Sequence, residues 1–237
     1  MMMNKQPLLT LQPTPSQNFR IVGRGERGNL AKWLDHSYAL QAEGDVEAAC
    51  NARFEAFQAI LEAVEGEEGV ELDRTHPNTL AAMEIIQASA IDHYLIGDAT
   101  MASAQLEMLL DLDSEDPLEV SPQLALCYVL LDDAECLDDI LPDLDDRTPI
   151  RAIVECCRSF AATKQLDPKW LTALRRHKEV ADEIVADNPT TDEAYLADIS
   201  SERPSRQALA RELYLRCHPA LAHIEGLIPA LREALGR

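Results

Sequence analysis

The chain has 237 residues, 46% of them hydrophobic and 5% aromatic, with a formal net charge of −21. That hydrophobic content excludes wholesale disorder, and the length suffices for one large domain or two small ones. The charge is concentrated in residues 29–146, which hold 28 acidic against 3 basic side chains. Such a field repels phosphate backbones, which argues against nucleic-acid binding, and it steers basic partners toward this part of the chain. A solvated surface that keeps the chain soluble accounts for the same charge.

Ala, Leu, Glu and Asp dominate, while aromatic residues are scarce, so the expected fold class is all-α. The six cysteines, Cys50, Cys127, Cys136, Cys156, Cys157 and Cys217, form no Cys-x-x-Cys pair. Most sit in apolar helical contexts, where a thiol acts as a small hydrophobe and a reducing compartment is its natural setting. No stretch approaches the ~20 apolar residues of a membrane span, and the apolar run near the start is too short for a secretory signal. The sequence reads as cytoplasmic.

Residues 1–28 are expected to be a flexible tail with a Gly/Arg-rich lead-in, since Pro7, Pro13 and Pro15 break the opening segment. The stretch FRIVGRGERGN contains Gly-x-Gly-x-x-Gly at Gly23, Gly25 and Gly28, after a strand-like Ile21-Val22. A dinucleotide site needs a second parallel strand after the next helix, and none is indicated, so the motif reads as a basic lead-in. The alternative is an anion contact through Arg24 and Arg27 at a helix N-terminus, for which Asn29 is a suitable cap.

A first helix is predicted from about Leu30 to Glu43, with Trp33, Leu34 and Leu40 among its period-marking residues. Gly44 ends it and Asp45 caps the next, whose apolar stripe is Val46, Ala49, Phe54, Phe57, Ile60 and Leu61. The acidic segment EGEEGVELDRTHPN carries too few apolar residues to enter a core. Asn78 or Thr79 then starts a helix that stops at Gly97, and Asp98 caps another that closes by Pro117. A third unit loses the glycine and keeps the rhythm, with Asp132-Asp133 at its hinge. A further helix follows Thr148, breaks near Lys164–Pro168, and gives way to a last helix of the series before Pro189. In the final segment Pro204 suits a first helical turn, and Pro219 opens the closing helix.

These units resemble tetratricopeptide (TPR) repeats, stacked helix hairpins about 34 residues long. Trp33, Leu40, Gly44, Ala49 and Ala56 carry the likeness in the first unit; Ile86, Gly97 and Ala102 carry it in the second, and Leu124, Tyr128 and Pro149 in the third. The match is degenerate, because His93 takes a Tyr-type place and Leu137 a small-residue place. The likeness implies a right-handed α-solenoid over residues 29–187 with capping helices over 188–237, and it implies a protein-interaction scaffold without catalysis, cofactor or metal. In such proteins the first helix of each pair lines the groove, which points here to Tyr38, Ile91, Tyr94 and Leu126 as anchors for an apolar or basic segment. The Lys and Asn residues of the carboxylate-clamp subclass are missing. The same residues could instead simply pack against neighbouring helices.

Eight carboxylates fall between Asp132 and Asp146, with Asp138 and Asp139 central. They form either a solvated helix face or a contact for a basic peptide. Asp111 to Asp116 lacks the glycine of a calcium loop, His218 and His223 are not spaced as a helical metal pair, and no hydrolase or nucleotide-binding motif occurs. The sequence therefore predicts an interaction scaffold for a protein or peptide, with an anionic small molecule near Arg24 and Arg27, or between repeats and cap, as the alternative.

Overall fold

The computed structural model describes residues 7–67 and 69–236. Among them are twelve α-helices and a two-stranded antiparallel sheet, so the all-α expectation holds at the level of class. No helix among the described residues is long and apolar enough to cross a membrane. The chain divides into two compact units, Met1–Val120 and Ser121–Arg237.

In the first unit, β1 (Leu9–Pro13) pairs with β2 (Phe19–Gly23), and the helices are α1 (Leu30–Ala42), α2 (Val46–Val64), α3 (Pro77–Leu95) and α4 (Ala99–Leu112). The hairpin corrects the expectation of a flexible tail over 1–28; residues 1–6 lie outside the described ones. Leu9 and Ile21 are buried, where β1 packs against α2 and β2 against α3. The side chains at the start of α3 clasp the hairpin. Thr79 Oγ1 accepts from the Ile21 amide at 3.1 Å, while Asn78 Nδ2 donates to the Ile21 carbonyl at 3.2 Å. Asn78 Oδ1 also accepts from the Leu30 amide at 2.7 Å, which ties α3 to the start of α1.

The glycine motif serves this junction. A Cβ placed on Gly23 would lie 1.8 Å from the Gly28 carbonyl oxygen, so the two backbones approach as only glycines can. Gly25 between them has φ +63 and ψ −165, a region that residues with a side chain rarely occupy. The acidic segment after α2 also differs from expectation. Val70 and Leu72 are buried, and the Leu72 amide donates to the Leu112 carbonyl at 2.8 Å.

Three interhelical turns are the same object. At Gly44 (φ +87), Gly97 (φ +88) and Asp132 (φ +54) the chain turns left-handed. Each of these amides donates to the carbonyl three residues back, Gln41, Tyr94 and Val129, at 3.1, 3.1 and 3.3 Å. The aspartates that follow, Asp45, Asp98 and Asp133, donate to carbonyls five residues back, Leu40, His93 and Tyr128, at 3.0, 2.8 and 3.0 Å. These two bonds make a Schellman ending. Each aspartate then turns its carboxylate to the amide three residues on, Ala48, Met101 or Cys136, and so caps the next helix. One residue pair both stops a helix and starts its partner.

Between the first two hairpins lies a buried polar cluster. Arg53, 4% exposed, binds Asp92 through Nε at 2.6 Å and Nη2 at 2.9 Å, and donates to Gln41 at 3.1 Å. A fork of donors fits a carboxylate in one orientation, so the cluster fixes how α1, α2 and α3 meet.

The second unit contains α5 (Val120–Leu130, whose first residue closes the first unit), α6 (Ala134–Ile140), α7 (Pro149–Thr163), α8 (Pro168–Arg176), α9 (Lys178–Ala186), α10 (Glu193–Ile199), α11 (Arg206–His223) and α12 (Leu227–Leu235). Two predicted boundaries move. The helix after Pro168 breaks at His177 into α8 and α9, and Pro219 lies inside α11 instead of opening the last helix, which begins after Gly226. Across residues 187/188, α9 packs on α11 and α12.

Candidate functional site

A well-formed recess lies in the second unit, at the α5–α6 turn. It is a pocket of about 550 Å³, within the usual range for ligand sites. Its walls are apolar where α5, α6 and α7 present Tyr128, Val129, Leu137, Ala161 and Ala162, and Ile224 closes it from the end of α11. The polar groups gather at the rim: Asp132 and Asp133 from the turn, Asp138 from α6, and Arg158 from α7.

Each rim group has a defined place. Asp133 caps α6, and its bonds to the Cys136 and Glu135 amides hold the carboxyl below its ordinary range. Asp132 Oδ1 lies 3.1 Å from His223 Nε2, a contact that requires that nitrogen to carry the proton. Asp138 Oδ1 pairs with Arg158 at 2.5 Å. Arg158 also reaches Glu155 at 3.2 Å, and Glu155 in turn holds Arg151 at 2.9 Å. Arg151 lies 3.5 Å from Asp146 and stacks over Trp170. The one cation of the rim is thus held by two carboxylates at the end of a ladder along α7, and the rim keeps an excess of negative charge.

The thiol in this pocket is inert. Cys157 is fully buried, and burial pushes its pKa well up; its neighbour Cys156 is pushed up to about 12 by burial and then by Asp167 and Glu155. Cys217 is raised to about 12 by burial alone. All six cysteines are free thiols. Among the described residues no group of three or more His, Cys, Asp or Glu is arranged to hold a metal ion.

The residues singled out from the sequence are scattered. Tyr94 is 1% exposed and Leu126 is 0% exposed, so both belong to the core and cannot anchor a partner; each faces inward where the repeat likeness pointed to a groove. Ile91 is half-buried, and Tyr38 is exposed on α1 near Glu84, Arg53 and Asp92, where partial burial and then Glu84 raise its phenol. Asp138 lines the pocket, whereas Asp139 next to it is exposed and outside the lining. Arg24 and Arg27 are exposed on the turn between β2 and α1. Arg27 borders a shallow recess with Lys32, Trp33 and His36, but Glu26 and Glu55 share that recess, and Lys32 pairs with Glu26 at 3.5 Å.

Tyr128, Arg158, Ala161 and Ile224 were not among the sequence-derived candidates. Of the lining residues, Asp138 stood out in the sequence through the acidic run, and the hinge aspartates signalled only a turn. No family model matches the chain, and neither does any curated protein or solved structure.

Proposed function

We propose that the chain is a non-catalytic, TPR-like interaction scaffold, a right-handed α-solenoid of stacked helix hairpins that works in the cytoplasm and binds a protein or peptide with a basic or apolar segment. The observation that carries this reading is the threefold recurrence of the Schellman turn fused to an aspartate cap, at Gly44-Asp45, Gly97-Asp98 and Asp132-Asp133. Identical turns give hairpins of like geometry, and such hairpins bury their apolar faces by stacking on one another. The packing of α1 on both α2 and α3, and of α2 on α3, accords with successive hairpins in the first unit. The acidic field of residues 29–146 favours encounter with a basic partner.

The anionic-ligand alternative has less support, since the recess at Arg27 is balanced by two glutamates. In-cell crosslinking of the tagged full chain followed by mass spectrometry tests the proposal. A protein partner recovered reproducibly in near-stoichiometric amount is the expected result. Recovery of no partner above background, with thermal stabilisation of the chain by a nucleotide or phosphate compound, would overturn it.

A further inference from the structure

The pocket at the α5–α6 turn is specific enough to name what enters it. We propose that it receives a lysine side chain together with an apolar neighbour, both from one segment of a partner protein; this rests on the scaffold reading above. The volume of about 550 Å³ exceeds what one side chain fills, which leaves room for the apolar neighbour. The walls of Tyr128, Val129, Leu137, Ala161, Ala162 and Ile224 suit aliphatic stems, and three carboxylates stand at the mouth against one guanidinium that is already doubly paired. A lysine lays its methylene stem on apolar surface and keeps its ammonium at the polar edge, which is the arrangement these walls and this rim complement.

The rim favours an ammonium over a guanidinium. Asp132 and Asp138 each already commit one oxygen, Oδ1, to His223 and Arg158 respectively. A planar fork needs both oxygens of one carboxylate, whereas a compact point charge is satisfied by single oxygens from several. An anionic group would meet the same rim as repulsion, at close range and in a partly desolvated mouth.

The test is a methyl NMR titration of the full chain labelled at alanine and isoleucine methyls, with the probes acetyl-Leu-Lys-Leu-amide, acetyl-Leu-Glu-Leu-amide and hexylammonium. The lysine peptide should shift Ala161, Ala162 and Ile224 in a saturable way, the glutamate peptide should not, and hexylammonium should bind more weakly than the lysine peptide. Asp132→Asn with Asp138→Asn should weaken the peptide roughly 3- to 10-fold by removing two rim charges. Asparagine tolerates the left-handed conformation at position 132, so the fold is kept. As a second variant, Ala161→Leu changes an exposed residue and fills the pocket, and it should abolish the shifts. Equal shifts from the glutamate peptide, no shifts from the lysine peptide, or hexylammonium binding as tightly as the peptide would each overturn the assignment. A silent pocket in a chain that still captures a protein partner would sink the pocket alone and leave the scaffold standing.

Discussion

The Gly23–Gly28 contact is the least replaceable feature at the scale of single residues. Gly23→Ala places a methyl inside the Gly28 carbonyl, and no flexible side chain can move aside for it. A loss of about 3 kcal/mol or more is expected by urea unfolding, at the upper end for overpacking; a loss below about 1 kcal/mol would show that the junction can open. Removing one partner of the Arg53–Asp92 pair strands a buried charge, so Asp92→Ala should cost about 3–5 kcal/mol. The double change Arg53→Met, Asp92→Leu should recover most of that, and failure to recover would mean that the fork geometry itself is required. Thiol labelling reads the burial of the cysteines directly. Near pH 8 only Cys50 and Cys136, which are partly exposed, should react quickly, the other four waiting on unfolding. Because burial raises Cys156 and Cys217 from an ordinary 9.0 to about 12, the folded chain keeps protons that the unfolded chain releases. Their contribution to stability is therefore full below about pH 9 and is lost as pH rises toward 12, which an alkaline unfolding series would reveal.

The hinges were the most legible elements. A glycine beyond an apolar period, followed by an aspartate, has few other uses than to stop one helix and cap another, and Asp132 replaces the glycine because aspartate tolerates a left-handed φ. Replacing a cap by alanine, Asp45→Ala or Asp98→Ala, should cost about 1 kcal/mol each, additively, because each takes one acceptor from a helix start. Costs that differ widely between them would contradict the equivalence of the turns. Elsewhere local signals were overridden. Pro219 looked like a helix start, yet α11 runs through it at the loss of one amide donor to the Leu215 carbonyl, because Cys217, Ala220 and Leu221 on either side are fully buried. The break at His177 has no glycine or proline to announce it. The β-hairpin hid among prolines and polar residues, and its partners at Asn78 and Thr79 lie more than fifty residues away. Val70 and Leu72 were too few to mark a buried segment in an acidic stretch.

At the scale of the whole molecule, fold class and the acidic field were readable because both are sums over many residues. The pocket was not, because its walls come from four separate segments between Tyr128 and Ile224 that no local pattern connects. The likeness to a groove-lining register misplaced Tyr94 and Leu126 for a related reason: helical period gives the apolar face of a helix and is silent on which apolar residues remain open. On the proposed reading the chain holds another protein, reached through charge and retained by an apolar pocket with an acidic rim. The most direct check is sedimentation velocity on the purified chain mixed with the protein recovered by crosslinking, at low and high salt. A complex of defined stoichiometry that weakens as salt rises is the expected result. Two species sedimenting independently at low salt, at concentrations well above those in the cell, would contradict it.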